Sequence, residues 1–366
     1  MLEIQSSEFN RIVSTAARFS AARSPVDNYR CVHLWTEKGV LLAECVCGEG
    51  RVTVAAECSG ELEPTTVDAR KIVVASSFSK DGEFGIKNSA NRLNIKYPGG
   101  KTQLPVFTET WPEREVFGAE AGKAVVAGED LKRCFNQVSS VSSKMEQKYA
   151  QEFRVYTEKS SLCVSGSTAN TFGGAWCPNR EGEIDARVPS IAAQKVSQCL
   201  SDESTITVID TGDRIVLTDY TLVASLIKAR SEGKAPEKLS GMARMWESGN
   251  PWSDIDLDGL KQFLSESKHF TTDECSGIKF EPNGDMIECS FDGMAMGTHG
   301  SEHNVLEACS REIKAVAHGE SVLVLHRKLA PIVRAMNGTS VNMRILDRGI
   351  FVFSDDFVAG VGRATR

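Results

Sequence analysis

Three stretches combine residue types that can hold a metal or a phosphate, and each lacks a necessary member. Asp254, Asp256 and Asp258 alternate ahead of Gly259, as in the opening of a calcium loop whose oxygen ligands come from alternate positions. That loop also needs a bidentate glutamate further on, where this chain has Ser265. Asp256 and Asp258 are expected instead to favour the positive N-terminal end of a helix. His299 and His303 stand four apart, a spacing used by zinc ligands on helices, but Gly300 separates them and no glutamate follows His299. A surface loop is expected there. Gly118 to Lys123 carries part of a phosphate-cradling pattern, one residue short and followed by Ala124 where a hydroxyl would reach magnesium. No Gly-x-Ser-x-Gly elbow occurs, and no histidine can be paired with a nucleophile. These residues give no catalytic centre, no metal site and no cofactor.

Cationic side chains carry more information. Arg11 and Arg18 lie seven apart on one helical face, Arg23 follows that helix, and Arg70 and Lys71 open the next. Lys132, Arg133 and Lys144 accompany a third helical stripe, and Lys195 a fourth. Lys261 and Lys268, again seven apart, mark a fifth helix, and Arg327, Lys328 and Arg334 a sixth. All are read as lying off the apolar stripes. One such helix is ordinary solvated surface. Six with the same bias, in a chain of formal net charge −7, point to a shared surface that meets a polyanion through its phosphates rather than its bases. The negative total argues against a protein that coats nucleic acid by bulk charge.

The elements that position these residues repeat. His326 to Asp355 reads as helix, tight turn and hairpin. Leu329, Ile332, Val333 and Met336 form one helical face, and Asn337-Gly338 ends it. Val341, Met343 and Ile345 then alternate before a turn at Asp347-Arg348-Gly349. The same order recurs from Asp68 to Tyr97 and from Pro189 to Asp219. A further helix and several strands precede each copy, beginning with a helix over Ser7 to Ala22 whose stripe is Phe9, Ile12, Val13, Ala16 and Phe19. Linkers are expected within Gly118 to Gly128 and Ser231 to Ser253, where glycine, serine and proline interrupt the periodicity. At 366 residues, three repeats imply three α+β domains, each able to bury its own core. The 11 cysteines are scattered without Cys-x-x-Cys pairs, so reduced core thiols are expected. No apolar run approaches a membrane span and no secretory leader opens the chain, and a cytoplasmic protein is expected.

In order, spacing and threefold repetition these segments resemble the bacterial-type DNA polymerase sliding clamp, the β clamp. The carrying residues are Asp68-Ala69-Arg70-Lys71-Ile72 with Leu104 to Pro112, then Val188-Pro189-Ser190 with Glu232 to Pro236, and finally Val324 to Arg366. The resemblance implies three similar clamp domains at residues 1–121, 122–248 and 249–366, each with two helices packed on antiparallel sheets. It implies two chains closed head to tail into a ring whose helices line a hole for duplex DNA of any sequence. The function implied is that of a processivity factor, not an enzyme, that tethers a DNA polymerase, is placed by a clamp loader and has no membrane association.

The family's DNA-contact positions fall on Arg23 and on a loop flanked by Lys144 and Lys148. At the dimer interface, Phe270 is expected to be buried near Lys71 and Leu104 of another copy, the alternative being burial in its own domain's core. A partner-peptide pocket is expected between Thr168, Asn170, Thr171 and Phe172, Pro236, and the tail Val361, Gly362, Arg363, Ala364, Thr365 and Arg366. The family has a Gly-His-Arg-Leu-like segment and an apolar tail there. This chain has Thr168-Ala169-Asn170-Thr171 and a tail with two arginines, as would suit a divergent, phage- or plasmid-like clamp that prefers acidic residues beside its partner's apolar anchor. The competing reading is a clamp-derived interaction scaffold that does not encircle DNA.

Overall fold

The computed structural model describes residues 1–89, 91–114, 116–141, 152–168, 170–229, 235–246, 249–270, 277–291 and 309–363. In chain order the elements are β1 (Leu2–Gln5), α1 (Ser6–Arg18), β2 (Cys31–Glu37), β3 (Val40–Cys47), β4 (Gly50–Glu57), β5 (Thr65–Asp68), α2 (Ala69–Ser76), β6 (Glu83–Ser89), β7 (Arg92–Tyr97) and β8 (Gly100–Phe107). Next come β9 (Gly122–Ala127), α3 (Gly128–Ser139), β10 (Glu152–Glu158), β11 (Ser161–Ser167), β12 (Thr171–Pro178), β13 (Asp185–Pro189), α4 (Ser190–Ser197), β14 (Thr205–Asp210), β15 (Arg214–Thr218) and β16 (Leu222–Ile227). Then follow α5 (Leu239–Trp246), β17 (Asn250–Asp256), α6 (Leu257–Ser267), β18 (Gly277–Asn283), β19 (Met286–Phe291), β20 (Cys309–Lys314), β21 (Val316–Ala317), β22 (Val322–Leu325), α7 (His326–Ala335), β23 (Ser340–Leu346), β24 (Gly349–Phe353) and β25 (Phe357–Gly362). Contacts divide the chain into two compact units, Met1–Lys132 with Pro178–Arg230, and Arg133–Cys177 with Ser231–Arg366.

In the first unit a 12-stranded antiparallel sheet runs β1-β6-β7-β8-β5-β2-β3-β4-β16-β15-β14-β9. Period-2 alternation sends Ala43 and Cys45 of β3, with Val52 and Val54 of β4, into the core, and their neighbours Glu44 and Thr53 to the other face. Helix α1 packs on β3 and β4 and beside α2. Its Phe9, Ile12, Val13 and Ala16 are fully buried, and burial of a side chain such as Phe9 contributes roughly 1.5–3 kcal/mol. The two halves of the sheet join where β4 pairs with β16, Arg51 opposite Ser225 and Val54 opposite Leu222. Gly50 allows that join, because a Cβ there would collide with the Ser225 carbonyl.

The second unit has strands in the order β10-β11-β12-β25-β24-β23-β17-β21 and a 4-stranded sheet β20-β19-β18-β22. Helices α6 and α7 lie together, burying Leu257, Leu260 and Leu264 with Leu329, Ile332 and Val333. His326 joins them, its Nε2 2.8 Å from the Leu264 carbonyl, and burial lowers its pKa. Asp256 caps α6 by accepting from the Gly259 amide at 3.2 Å, the helix-end role expected for it.

All three helix and hairpin repeats form, as α2-β6-β7, α4-β14-β15 and α7-β23-β24. Helix α1 stops at Arg18, short of the expected Ala22, because the Ala21 amide turns to the Tyr29 carbonyl. The first expected linker contains β9, which pairs with β14 and buries Ala124 and Val126. Two apolar positions are too few to make a periodic signal. The second contains α5 and β17, where Pro251 and a bulge between Trp252 and Ile255 break the alternation. The ten cysteines among the described residues form no disulfide with one another. Burial pushes Cys31 and Cys47 up to about 11 and Cys163 and Cys199 to about 12. These thiols are inert core packing.

Candidate nucleic-acid interface and docking seam

In the first unit the C-terminal ends of α1 and α4 meet. The Cys199 thiol points to the Thr15 carbonyl at 3.4 Å, and Arg18 donates to the carbonyl of Gln198, the C-cap of α4. Lys195 reaches back to the Phe19 carbonyl at 3.4 Å and lies 5.6 Å from that ring's centroid. Carbonyl acceptors orient these cations without neutralising them, and the negative ends of both helix dipoles favour them there. Arg23, on the turn after α1, is exposed. Arg70 and Lys71 are exposed in the first turn of α2, where the dipole opposes them and an incoming phosphate would offset the conflict.

In the second unit Lys261 donates to the Met336 carbonyl at the end of α7 at 2.9 Å, and Lys268, Arg327 and Arg334 are exposed. Other cations are already matched. Arg11 pairs with Glu8 at 2.7 Å and donates to the Ala55 carbonyl. Lys132 pairs with Asp202 at 2.8 Å, and Arg133 pairs with Asp356, which also accepts from Gln137. Lys328 corrects the surface reading: it is only 7% exposed. It precedes Ile332 by one helical turn and so lies on the apolar face, a signal available in the sequence. Lys144 and Lys148 lie outside the described residues.

Of the residues assigned to a dimer interface, Lys71 is exposed. Leu104 is 8% exposed and pairs with Leu93 inside its own sheet. The Phe270 side chain lies outside the described residues. Sequence reasoning did not identify Val74 and Phe78, which leave apolar surface on and beside α2 at 56% and 47% exposure.

The pocket residues are brought together where β12 pairs with β25. Thr171 lies opposite Val361, and the Gly362 amide donates to the Asn170 carbonyl at 2.9 Å. Thr168 and Thr171 share a hydroxyl contact of 2.6 Å, and Thr171 also donates to the Val141 carbonyl. Thr171 and Val361 are each 2% exposed, so both build the seam instead of lining it. Pro236 is buried and its carbonyl accepts from Arg154 at 3.3 Å. Apart from Phe172, the apolar lining comes from residues the sequence did not single out. Met242, Phe351 and Val358 are buried together, and Phe172, Trp176, Leu239, Leu346 and Phe353 pack half-buried against them. Arg363 is exposed beside this seam, its amide bonded to the Arg348 carbonyl. Ala364, Thr365 and Arg366 lie outside the described residues.

No protein-family model matches the sequence, and no curated protein matches it. Solved structures do match. A DNA polymerase III β subunit from Thermotoga maritima gives a TM-score of 0.82 at 14% identity, covering 100% of both chains. A DnaN sliding clamp, DNA polymerase III subunit β, from Pseudomonas aeruginosa bound to griselimycin gives 0.81 at 15% identity, covering 100% of this chain and 99% of that one. A second β subunit from Pseudomonas aeruginosa gives 0.79 at 14% identity over 100% of both chains. The whole chain thus has the fold of the DNA polymerase III β sliding clamps, carried by a far diverged sequence.

Proposed function

We propose that this chain is a DNA sliding clamp, a non-enzymatic processivity factor that encircles duplex DNA and tethers a DNA polymerase to it. The observation that carries the reading is the full-length match to structures solved as β sliding clamps. Exposed cations on helices of both units support it. Such residues hold phosphate without reading bases, and the log of affinity then falls linearly with the log of salt concentration. Closure of the ring supplies retention, so no single contact needs to be tight.

On this reading residues 1–121, 122–248 and 249–366 are three clamp domains, and two chains close head to tail into the ring. A clamp loader places it on DNA, and partner peptides enter the apolar seam of Phe172, Leu239 and Phe353. No described helix is long and apolar enough to cross a membrane, and the work proposed is that of a cytoplasmic replication protein. Native mass spectrometry at micromolar concentration is expected to give a dimer, and the bound protein should stay on closed circular duplex and leave it on linearisation. A monomer that leaves circular and linear DNA equally would sink the reading.

A further inference from the structure

The connection between β8 and β9 crosses the face of the first unit's sheet opposite α1. Trp111 donates its indole N–H to Glu44 Oε1 at 2.6 Å, and Arg51 donates to the carbonyls of Pro112 and Glu113 at 3.3 and 2.7 Å. Arg114 lies 4.1 Å over the Trp35 ring. Beyond it the Ala121 amide bonds the Asp210 carbonyl at 2.7 Å. Under this strap, beside the β4–β16 join, is a cavity of about 310 Å³, within the size range of ligand pockets. Its floor is Leu42, Glu44, Arg51 and Thr53 with Val223 and Ser225, and the strap adds Arg114 and Phe117.

The two seams are built alike. In the second unit, Arg154 holds the Pro236 carbonyl and the Tyr156 hydroxyl accepts from the Leu239 amide at 2.6 Å, as Arg51 and Glu44 hold Pro112 and Trp111. Trp111-Pro112-Glu113 and Ala235-Pro236-Glu237 are the matching sequence segments. There the chain packs a helix of its own beside the seam, with Met242 of α5 buried against Phe351 and Val358 and with Phe172, Leu239 and Phe353 left partly open. At the first seam the strap brings no such helix, and Phe117 and Val223 remain 42% and 37% exposed.

Charge selects the occupant. Glu44 is 1% exposed and matched: Arg51 and Trp111 donate to one oxygen, Thr53 to the other. Arg114 is held only loosely, 3.9 Å from Glu44, with a half-exposed side chain. Glu37 on the rim is exposed to water, which screens it. The cation available to a ligand is therefore Arg114, next to the apolar rim of Phe117 and Val223. Val116, next to Phe117 in the chain, is 96% exposed, and apolar surface on the strap beyond the cavity suits an extended chain better than an isolated side chain. We propose that the cavity at the β4–β16 seam is a second docking site, taking a short peptide segment of a partner protein with an aromatic or leucine side chain next to a carboxylate.

The inference does not depend on whether the chain encircles DNA. The full chain, methyl-labelled at leucine and valine, is titrated with acetyl-Gly-Phe-Asp-Gly-amide and followed by NMR. Methyl signals of Leu42 and Val223 are expected to shift, with a titration curve separate from any shift at Val358 and Leu239, which report the second seam. Arg114→Ala and Val223→Asp should each weaken binding about tenfold, the effect of losing one charge-assisted or apolar contact. Tyr220→Ala, at an exposed turn, should leave it unchanged. Shifts confined to Val358 and Leu239, no shift at Leu42 and Val223, or an affinity indifferent to Arg114→Ala would each overturn the proposal. Equal affinity for 3-phenylpropionate, which has both groups without a peptide backbone, would assign the cavity to small carboxylic acids and overturn it too.

Discussion

Trp111 lies flat on His33, the ring centroids 4.9 Å apart and the planes 11° from parallel. His33 also shares its Nδ1 with the Thr66 hydroxyl at 2.8 Å. Burial lowers its pKa from 6.5 to about 4, Glu44 opposing the shift and Arg114 and Arg51 adding to it. Because the folded state resists protonation more than the unfolded one, the associated stability is full above pH 6.5 and is lost as pH falls toward 4. Thermal melts between pH 7 and pH 4.5 should show a falling midpoint in the parent and a shallower fall in His33→Gln. A variant with the parent's slope would refute this assignment. His326, lowered in the same direction, leaves a residual slope in the variant.

Glu44 and Arg51 hold the strap through a buried ion pair of 3.2 Å, their side chains 1% and 11% exposed. Removing one partner leaves a buried charge without its match. Glu44→Ala should therefore cost about 3–5 kcal/mol, while Glu44→Leu with Arg51→Leu should cost much less. Urea unfolding of the three proteins measures both. A single variant as stable as the double would show that water already screens the pair.

Cations on the helices divide into those free to meet phosphate and those matched within the fold. Arg23→Glu and Arg334→Glu should weaken association with duplex DNA equally for any sequence and reduce the salt slope by about 1 or more each. Stability should barely change, since isolated surface charges contribute little. Arg133→Glu should behave differently, losing stability by repelling Asp356. Fluorescence anisotropy over a salt series separates the two classes; equal DNA effects from Arg23→Glu and Arg133→Glu would remove the distinction.

How much of this was legible depended on sequence distance. The stripe of Phe9, Ile12, Val13 and Ala16 and the alternation in the three hairpins are local patterns, and the helix and strand periods expose them directly. Strand β9 offers two inward residues, and β17 carries a proline and a bulge, so neither produces a pattern. The site was harder. Arg133 is matched by Asp356, and the lining of the β12–β25 seam gathers Phe172, Leu239 and Phe351 from three separate segments. Such pairings exist only after strands from distant repeats have joined. Glu44 gave no warning for the same reason: its four contacts come from β4 and the strap.

The second seam should retain peptide binding while changing its preference. Phe172, Leu239 and Phe353 offer apolar wall, and Arg363 is the exposed charge beside it. A consensus bacterial clamp-binding peptide should bind more weakly than one with acidic residues flanking the same anchor, because opposite charge mainly sets specificity and on-rate. Deleting Arg363 to Arg366 should abolish the difference, and Phe172→Ala should weaken both peptides. Calorimetry showing no acid preference in the full chain would remove the role assigned to the tail.

Val74 and Phe78 give the most direct test of ring closure. Val74 on α2 and Phe78 just past its end are 56% and 47% exposed, and apolar surface of this kind on a folded protein marks contact with another. Nearby, β8 pairs with β5 only through Val106 and Phe107, so its edge turned away from β7 has no strand partner from Gly100 to Pro105 among the described residues. An open strand edge beside apolar side chains is the arrangement that a strand from another copy completes. If the proposed dimer closes here, Val74→Asp with Phe78→Asp should place two charges in its interface while leaving each chain folded, since neither side chain belongs to the core. Truncating one aromatic anchor alone typically costs about 2 kcal/mol or more of association. Sedimentation velocity at micromolar concentration should give a dimer for the parent and a monomer for the double variant, with unchanged circular dichroism. A double variant that stays dimeric would place the interface elsewhere on the chain.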